Sequence, residues 1–333
     1  MQIYLNAIFN HFRAIQAWAG DKDAKITLDL KNFELEVKYR GRYFMMYPIF
    51  QARAEGLSMH TSMLSPSVFG FGGWRPYQSF THGHSTDKRL FKTFLTEAGL
   101  RTPASLQVFD GVEPPSFDYI LKGAVGSFGK EIEGPFRAGT PLQQVRGGAA
   151  GSRESVFAEQ FIQGRILKVW FWGSRPFFAH AHEFPVIRGD GVRKVEDIVR
   201  ERVAQGGQDW EKDTDREVVR ACLRFQRTEW DSVLEIGAAR WIDYRYSQHY
   251  EKSAGVTAIT DSALPELVSQ GGEQIERMGK ELANLLRKTV AAPVMISVDG
   301  MMDADGHIWW LEMNTNSIAP PELYAPMFSD LFF

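Results

Sequence analysis

Residues 299–316 read DGMMDADGHIWWLEMNTN. Within this stretch the tetrapeptide DADG is rich in turn-forming residues and separates two apolar runs, VMISVD at 294–299 and HIWWLE at 307–312. Both runs have the length and the β-branched or aromatic content of strands, so the stretch predicts a β-hairpin. This hairpin is the most specific signal in the sequence, because it brings polar side chains together where its two strands meet.

Three oxygen-bearing side chains are brought together by the predicted hairpin: Asp299, Glu312 and Asn314. Asp299 ends the first strand, and Glu312 and Asn314 are two positions apart on the second, so the latter pair shares a face of the sheet. Two carboxylates and an amide oxygen on one face suit Mg²⁺, which binds such groups together with nucleotide phosphates. The alternative is that these acids are ordinary solvated residues at strand ends.

Two lysines stand where anions are favoured. Lys88 begins a predicted helix that ends at Gly99, and the start of a helix attracts anions through its free N–H groups. Lys122 ends the apolar strand DYILK, directly before the loop GAVGSFGK at 123–130. Glycines in that loop let backbone N–H groups approach phosphate oxygens. The loop is not a Walker A motif, because the pattern GxxxxGK[ST] is absent.

Glu159 lies in VFAEQFIQG at 156–164, after an apolar run that predicts a strand. A carboxylate and neighbouring backbone groups at this position could read the amino edge of a purine while apolar side chains hold its faces. The competing interpretation is a solvent-facing acid at the end of a strand.

Composition limits the class of protein. The chain has 333 residues, which suggests two domains or one α/β domain with an extra module. Its net charge of -3 argues against a nucleic-acid partner. No stretch approaches the roughly 18 consecutive apolar residues of a membrane span. A single cysteine, Cys222, excludes an internal disulfide and favours a reducing, cytoplasmic compartment. Aromatic residues make up 13% of the chain and could serve a wide core or a pocket for a flat ligand.

Periodicity indicates the remaining organisation. The first twenty residues predict an amphipathic start, and alternation over 25–31 and 33–39 predicts a β-hairpin. The stretch 56–86 is rich in Gly, Ser, Pro and His and is interpreted as a linker or irregular loop, with a domain boundary near Ser85. Helical spacing is also predicted across 208–236.

Five segments, taken in order, resemble the ATP-grasp superfamily in its D-alanine-D-alanine ligase-like, carboxylate-amine ligase branch. They are TDK with the helix to Gly99 and Pro103, DYILKGAVGSFGK, AEQFIQG, FPVIRGDG and DGMMDADGHIWWLEMNTN. The resemblance implies an α+β fold in which two α+β subdomains clamp ATP, preceded by a short atypical N-terminal α/β domain. The implied domains are 1–85 for substrate or scaffold, 86–190 with the glycine loop and 191–333 with the metal site.

The resemblance also implies site residues. Lys88 and Lys122 match the family's phosphate lysines, and the metal ligands match Asp299, Glu312 and Asn314. Glu159 matches the residue that binds the adenine amino group. The further nucleotide-binding positions implied are Gly126, Ser127, Gly129 and Lys130 in the glycine loop, and Gln160, Phe161 and Ile162 after Glu159.

Two departures from the family's pattern stand out. Ile166 replaces the acid that many members use for the ribose, and Ser297 replaces an arginine that stabilises the tetrahedral intermediate. Arg240 or Arg245 could supply that arginine from another segment, and Arg188 resembles a phosphate or intermediate contact. The resemblance therefore implies catalytic roles for Arg188, Arg245 and Lys122.

The activity implied by the resemblance is an ADP-forming, ATP-dependent carboxylate-amine ligase with Mg²⁺, or Mn²⁺ in its place, as cofactor. It would form an amide through an acylphosphate on an amino acid or a natural-product precursor, with a small carboxylate and an amine as substrates. The alternatives are an enzyme that modifies a ribosomal peptide, an ATP-grasp small-molecule kinase and a non-catalytic nucleotide-binding protein. Nucleic acid and membrane are not expected as partners, and a homodimer stays open.

Overall fold

The computed structural model describes residues 2–54, 57–109, 112–124, 132–142, 156–246, 261–290 and 293–333. Helices and sheets are mixed throughout these ranges, and every strand pair recorded in them is antiparallel, which confirms the predicted α+β class. In these ranges no helix combines the length and the apolar character that a bilayer crossing requires.

The N-terminal part is one long helix on an antiparallel sheet. The predicted hairpin at 25–39 is confirmed, with Lys25 opposite Lys38 and Leu28 opposite Leu35. The third strand pairs with three other strands, so it is the central strand of the sheet. The elements are α1 (Gln2–Lys22), β1 (Lys25–Leu28), β2 (Leu35–Tyr39), β3 (Arg42–Ala54), β4 (Leu57–Thr61) and β5 (Val68–Arg75).

The interpretation of 56–86 as a linker or irregular loop is wrong, because β4 and β5 lie in it. The glycines that suggested a loop are packing positions in a strand. A Cβ on Gly72 would lie 3.2 Å from the carbonyl oxygen of Ile49, and one on Gly70 would lie 2.6 Å from the side chain of Gln51. Glycine here allows β5 to lie close against β3.

A second sheet follows two short helices. Its strand order is β6-β9-β7-β8, so the strand that carries Glu159 is central and lies beside the strand that carries Lys122. Gly99 ends the longer helix with a φ of +63°, as the glycine stop predicts. The elements are α2 (Gly83–Thr86), α3 (Lys88–Glu97), β6 (Ser105–Gln107), β7 (Tyr119–Gly123), β8 (Ile132–Phe136) and β9 (Val156–Gln160).

A third sheet carries the predicted metal ligands. Its order is β11-β10-β14-β15, and its last two strands are the predicted hairpin. Helix α6 packs against β11. The elements are β10 (Arg165–Trp172), β11 (Arg175–His182), α6 (Leu264–Leu286), β14 (Met295–Met302) and β15 (Ile308–Asn314).

The segment between β11 and α6 forms a smaller unit. A two-stranded sheet pairs Val186 with Trp241 and Arg188 with Ala239. The helical prediction across 208–236 is wrong in extent, since the helix occupies ten residues and an Asp215 cap begins it. The elements are β12 (Val186–Arg188), α4 (Val195–Gln205), α5 (Arg216–Phe225) and β13 (Ala239–Trp241).

The N-terminal sheet and the third sheet share one hydrophobic core. Helix α7 (Tyr324–Phe332) lies in this core with Trp74 of β5 and Trp172 of β10. The Tyr324 hydroxyl accepts a hydrogen bond from the Trp74 backbone N–H at 3.1 Å. Arg75, fully buried, donates to the carbonyls of Thr315 and Ser317, directly after β15. The N-terminal part thus anchors the segment that follows the predicted metal ligands.

Candidate active site

The hairpin of β14 and β15 brings the three predicted metal ligands together. Asp299 lies directly opposite Glu312, and Ser297 lies opposite Asn314. A bulge follows Asp299, so the next recorded pair is Gly300 with Trp310. The Asn314 side-chain amide donates to Asp299 Oδ2 at 3.0 Å. Because paired and alternate residues share a face, two carboxylates and one amide converge on one patch of the sheet.

Each carboxylate of this patch is paired with a lysine. Lys168 Nζ, on the neighbouring strand β10, lies 2.6 Å from Asp299 Oδ1. Lys88 Nζ, at the start of α3, lies 3.5 Å from Glu312 Oε2. The Lys88 backbone N–H donates to the carbonyl of Ala124 at 3.0 Å, which fixes the start of α3 beside the end of β7. The patch therefore carries two negative and two positive charges.

Burial raises the pKa of Asp299 to about 6, with Glu312 adding to the shift and Lys168 opposing it. Two neighbouring carboxylates repel each other, so the patch favours a cation between them. Burial, followed by the charge of Asp299, also raises the pKa of the Tyr246 hydroxyl.

The chemistry of this patch fits a divalent metal ion. Two carboxylates and an amide oxygen are the oxygen ligands that Mg²⁺ takes when phosphates supply the rest. The Asn314 amide directs its nitrogen towards Asp299, and the side-chain oxygen and nitrogen can exchange places by an amide flip. Asp299, Glu312 and Asn314 would therefore hold the metal.

Glu159 is the centre of a second charged cluster. Its side chain is 2% exposed, with Lys122 Nζ at 2.5 Å and Lys92 Nζ at 2.8 Å. Burial alone would raise its pKa, but the charges of Lys122 and Lys92 outweigh burial and the pKa is lowered. Glu159 is therefore an ionised acceptor inside the protein, and the interpretation as a solvent-facing acid is wrong.

Lys92 is held in place by more than Glu159. Its ammonium also donates to the Pro103 carbonyl at 2.8 Å and to the Thr102 hydroxyl at 3.2 Å. Burial lowers its pKa, and Glu159 opposes that shift. Lys122 lies on β7 beside β9, and its recorded ion pair is with Glu159. An incoming phosphate can thus form an ion pair with Lys122 while Lys92 continues to neutralise the charge of the Glu159 carboxylate.

The residues after Glu159 connect the second sheet with the third. The backbone N–H of Gln160 donates to Ala104 and that of Phe161 donates to Asp118, both at 2.8 Å. Phe161 and Ile162 belong to a buried cluster with Met301 of β14 and Ile120 of β7. This cluster places the Glu159 region beside the face of the hairpin that carries Asp299, because Met301 and Asp299 are alternate residues of β14.

The hydrogen bonds and ion pairs recorded for Arg240 and Arg245 are with residues other than Asp299. The guanidinium of Arg245 is bound by Asp243 at 2.8 Å and Asp215 at 2.9 Å. Arg188 is exposed at the end of β12, and Arg240 donates to Thr228. Ser297 is buried and bonded to the Ser317 hydroxyl. The cation that lies against Asp299 is Lys168.

Part of the prediction falls outside the described residues: Gly126, Ser127, Gly129 and Lys130 of the glycine loop. Two charged residues were missed by sequence reasoning, Lys92 and Lys168. Both had a signal, because a lysine on the apolar face of a helix or inside the strand RILKVWFW needs a buried anion, as argued for Lys122.

No family model matches the sequence, and neither does any curated protein. Among solved structures, the chain is similar to a bifunctional glutathione synthetase from Pasteurella multocida, with 13% identity, a TM-score of 0.43 and coverage of 96% of this chain. It is also similar to a D-alanine-D-alanine ligase from Bacillus anthracis, with 14% identity, a TM-score of 0.38 and coverage of 74%. A third is the ATP-grasp ligase PsnB complexed with minimal precursor, with 14% identity, a TM-score of 0.34 and coverage of 74%.

The chain spans 43%, 64% and 60% of the length of these three proteins.

Proposed function

We propose that this protein is an ATP-grasp enzyme, an ADP-forming carboxylate-amine ligase. The observation that carries the proposal is the convergence of Asp299, Glu312 and Asn314 on one face of a sheet, with Lys88 bound to Glu312. A nucleotide triphosphate needs both cationic side chains and metal ligands, and this patch offers both.

The Glu159 cluster supplies the other end of a nucleotide site. An ionised carboxylate accepts hydrogen bonds from the adenine amino group and repels the carbonyl oxygen that guanine carries at the same position. Lys92 and Lys122 keep Glu159 ionised in its buried position. In this proposal Lys122 exchanges Glu159 for a phosphate when ATP binds, and Lys88 contacts the phosphates from the start of α3.

The proposed reaction has two steps. An oxygen of the substrate carboxylate attacks the γ-phosphorus of ATP, the bond to the bridging oxygen breaks, and ADP leaves with that electron pair. An amine nitrogen then attacks the acyl carbon, inorganic phosphate leaves with the electrons of the carbon-oxygen bond, and the nitrogen releases a proton to solvent. When bound, Mg²⁺ or Mn²⁺ would neutralise phosphate charge, while the lysines position the phosphates.

The proposed substrates are an amino acid or a small natural-product precursor together with an amine. A screen of amino acids and small carboxylates for substrate-dependent phosphate release, followed by mass spectrometry, tests the proposal. A product equal to both substrates minus water supports a ligase, whereas a substrate that has gained one phosphate identifies a kinase. A modified peptide in the same assay identifies a peptide-modifying enzyme.

Glu312→Gln keeps the shape of the side chain and removes its charge, so we expect phosphate release to fall by about a hundredfold or more when a metal ligand is lost. Glu273→Gln makes the same substitution on the exposed surface of α6 and should behave like the wild type. Equal activity in both variants would contradict the proposed site.

A further inference from the structure

We propose that Lys168, with His180 and Tyr246 beside it, binds the substrate carboxylate that receives the phosphoryl group. This inference rests on the proposed ligase function and extends it to a residue and a subsite that the motifs do not assign.

Four ionisable side chains form one row across that sheet. Lys168 is paired with His180 on one side and with Asp299 on the other, and Asp299 is paired with Glu312. Directly paired residues of antiparallel strands point to the same face. The order across the face is therefore His180, Lys168, Asp299, Glu312, with neighbouring strands about 4.8 Å apart.

The two ends of the row differ in their surroundings. At the Glu312 end, Lys88 and the end of β7 form the phosphate side of the proposed nucleotide site. Towards the opposite end, next to His180, Lys168 lies 4.9 Å from the ring of Tyr246 and 5.7 Å from that of Trp170. A second anion held near the metal ligands, away from the triphosphate, would meet Lys168.

The charges of the row explain why a carboxylate would bind beside Lys168. Lys168 is 10% exposed, and a buried ammonium needs an anion close by. That anion is Asp299 as long as no metal ion occupies the patch. When a divalent ion takes Asp299, the positive charge beside Lys168 increases, and a negatively charged ligand is needed to compensate it. A substrate carboxylate has the required charge and must lie near the γ-phosphate to react.

Neighbouring polar groups extend the subsite. His180 Nδ1 and the Tyr246 hydroxyl are hydrogen-bonded at 3.1 Å, next to Lys168 in the row. These groups can hold the remainder of a polar substrate. The aromatic rings of Trp170 and Tyr246 limit the space around the ammonium, which favours a small carboxylate over a bulky one.

The probe for this subsite is acetate, added to the wild type in the presence of Mn²⁺ and ADP. We expect a saturable change in the electron paramagnetic resonance signal of bound Mn²⁺. Lys168→Met should require about tenfold more acetate or higher, because one charge-assisted hydrogen bond is lost. Lys168→Arg should recover part of the response, and Lys280→Met, an exposed lysine of α6, should not change it.

The outcomes separate this inference from the proposed function. If the wild type does not bind Mn²⁺ with ADP, the ligase proposal fails and the subsite fails with it. If it binds both and Lys168→Met responds to acetate like the wild type, the subsite alone is wrong and Lys168 only neutralises Asp299. Should Lys168→Met lack a cooperative thermal transition, His180→Gln replaces it, and an unchanged acetate response in that folded variant overturns the subsite.

Discussion

Lys88 and Lys92 lie one turn apart on α3, and their ammonium groups pair with carboxylates from two different sheets. Lys88 Nζ is 3.5 Å from Glu312 of the third sheet, and Lys92 Nζ is 2.8 Å from Glu159 of the second. Residues at i and i+4 share a face of a helix and are separated by about 6 Å along its axis. Helix α3 therefore fixes the spacing between the proposed adenine and phosphate ends of the nucleotide site.

Lys92→Met should destabilise the protein. The substitution leaves the buried Glu159 with Lys122 as its remaining recorded ion-pair partner, and breaking a buried pair costs about 3 kcal/mol in the free energy of unfolding. Urea denaturation measures the change, and Lys280→Met is the control. In the double variant Lys92→Met with Glu159→Gln we expect a smaller loss than the sum of the single losses. Additive losses would mean that the pair does not couple.

Lys122→Met should separate phosphate binding from adenine binding. If Lys122 moves to a phosphate, the variant binds MgATP about tenfold more weakly, since one charge-assisted contact is lost, while its affinity for adenosine stays close to that of the wild type. Isothermal titration calorimetry with both ligands measures this difference. Equal weakening for ATP and adenosine would place Lys122 at the base and not at the phosphates.

His11 should make stability depend on pH. Burial, and then the charge of Arg75, lower the pKa of His11 to about 3, so the folded protein keeps it neutral. In the unfolded chain histidine titrates near 6.5, so below that pH the unfolded state binds a proton that the folded state excludes. The stability that the neutral His11 provides is therefore complete above pH 6.5 and is lost as the pH falls towards 3. The loss approaches about 1.4 kcal/mol per pH unit within that window.

His11→Gln, which does not titrate, supplies the comparison. The difference in unfolding free energy between the wild type and this variant should shrink between pH 7 and pH 5, as measured by urea denaturation at each pH. The hydrogen bond between the Tyr324 hydroxyl and the side chain at position 11, 2.9 Å in the wild type, can form with either residue. Parallel pH profiles of the two proteins would contradict the prediction.

Gly279→Ala should be more harmful than another glycine substitution in a helix. A Cβ at Gly279 would lie 2.1 Å from the backbone carbonyl oxygen of Ser174, so α6 would have to move away from the turn after β10. We expect a loss of about 2 kcal/mol or more, as for other overpacked sites. Gly20→Ala in α1 meets open space and should be neutral or stabilising. Similar unfolding free energies for the two variants would refute the close packing.

The metal hairpin could be predicted from the sequence because its contacts are local. The five residues between the strands pair Met302 with Ile308, and a bulge then brings Glu312 opposite Asp299. The partner of Asp299 could not be predicted, since Lys168 is 131 positions away and meets it only through the pairing of β10 with β14. The ion pair of Arg245 with Asp215, 30 positions away, likewise becomes visible only in the fold, and the catalytic role of Arg245 stays a prediction.

In the 56–86 stretch, by contrast, local sequence features predicted the wrong structure. Glycine content indicates a loop when each residue is considered alone, but Gly70 and Gly72 lie in β5, where an added Cβ would press on Gln51 and Ile49 of β3. Local propensity is overridden here by packing between paired strands.

The hydrogen bond between Trp74 and Tyr324 has a consequence for biosynthesis. The two residues are 250 positions apart, yet both belong to the core that closes the N-terminal sheet. On the ribosome that sheet therefore emerges long before α7 is synthesised. Its aromatic side chains remain exposed until α7 packs against them. Chains stalled before α7 should expose this apolar surface and bind chaperones more strongly than completed chains.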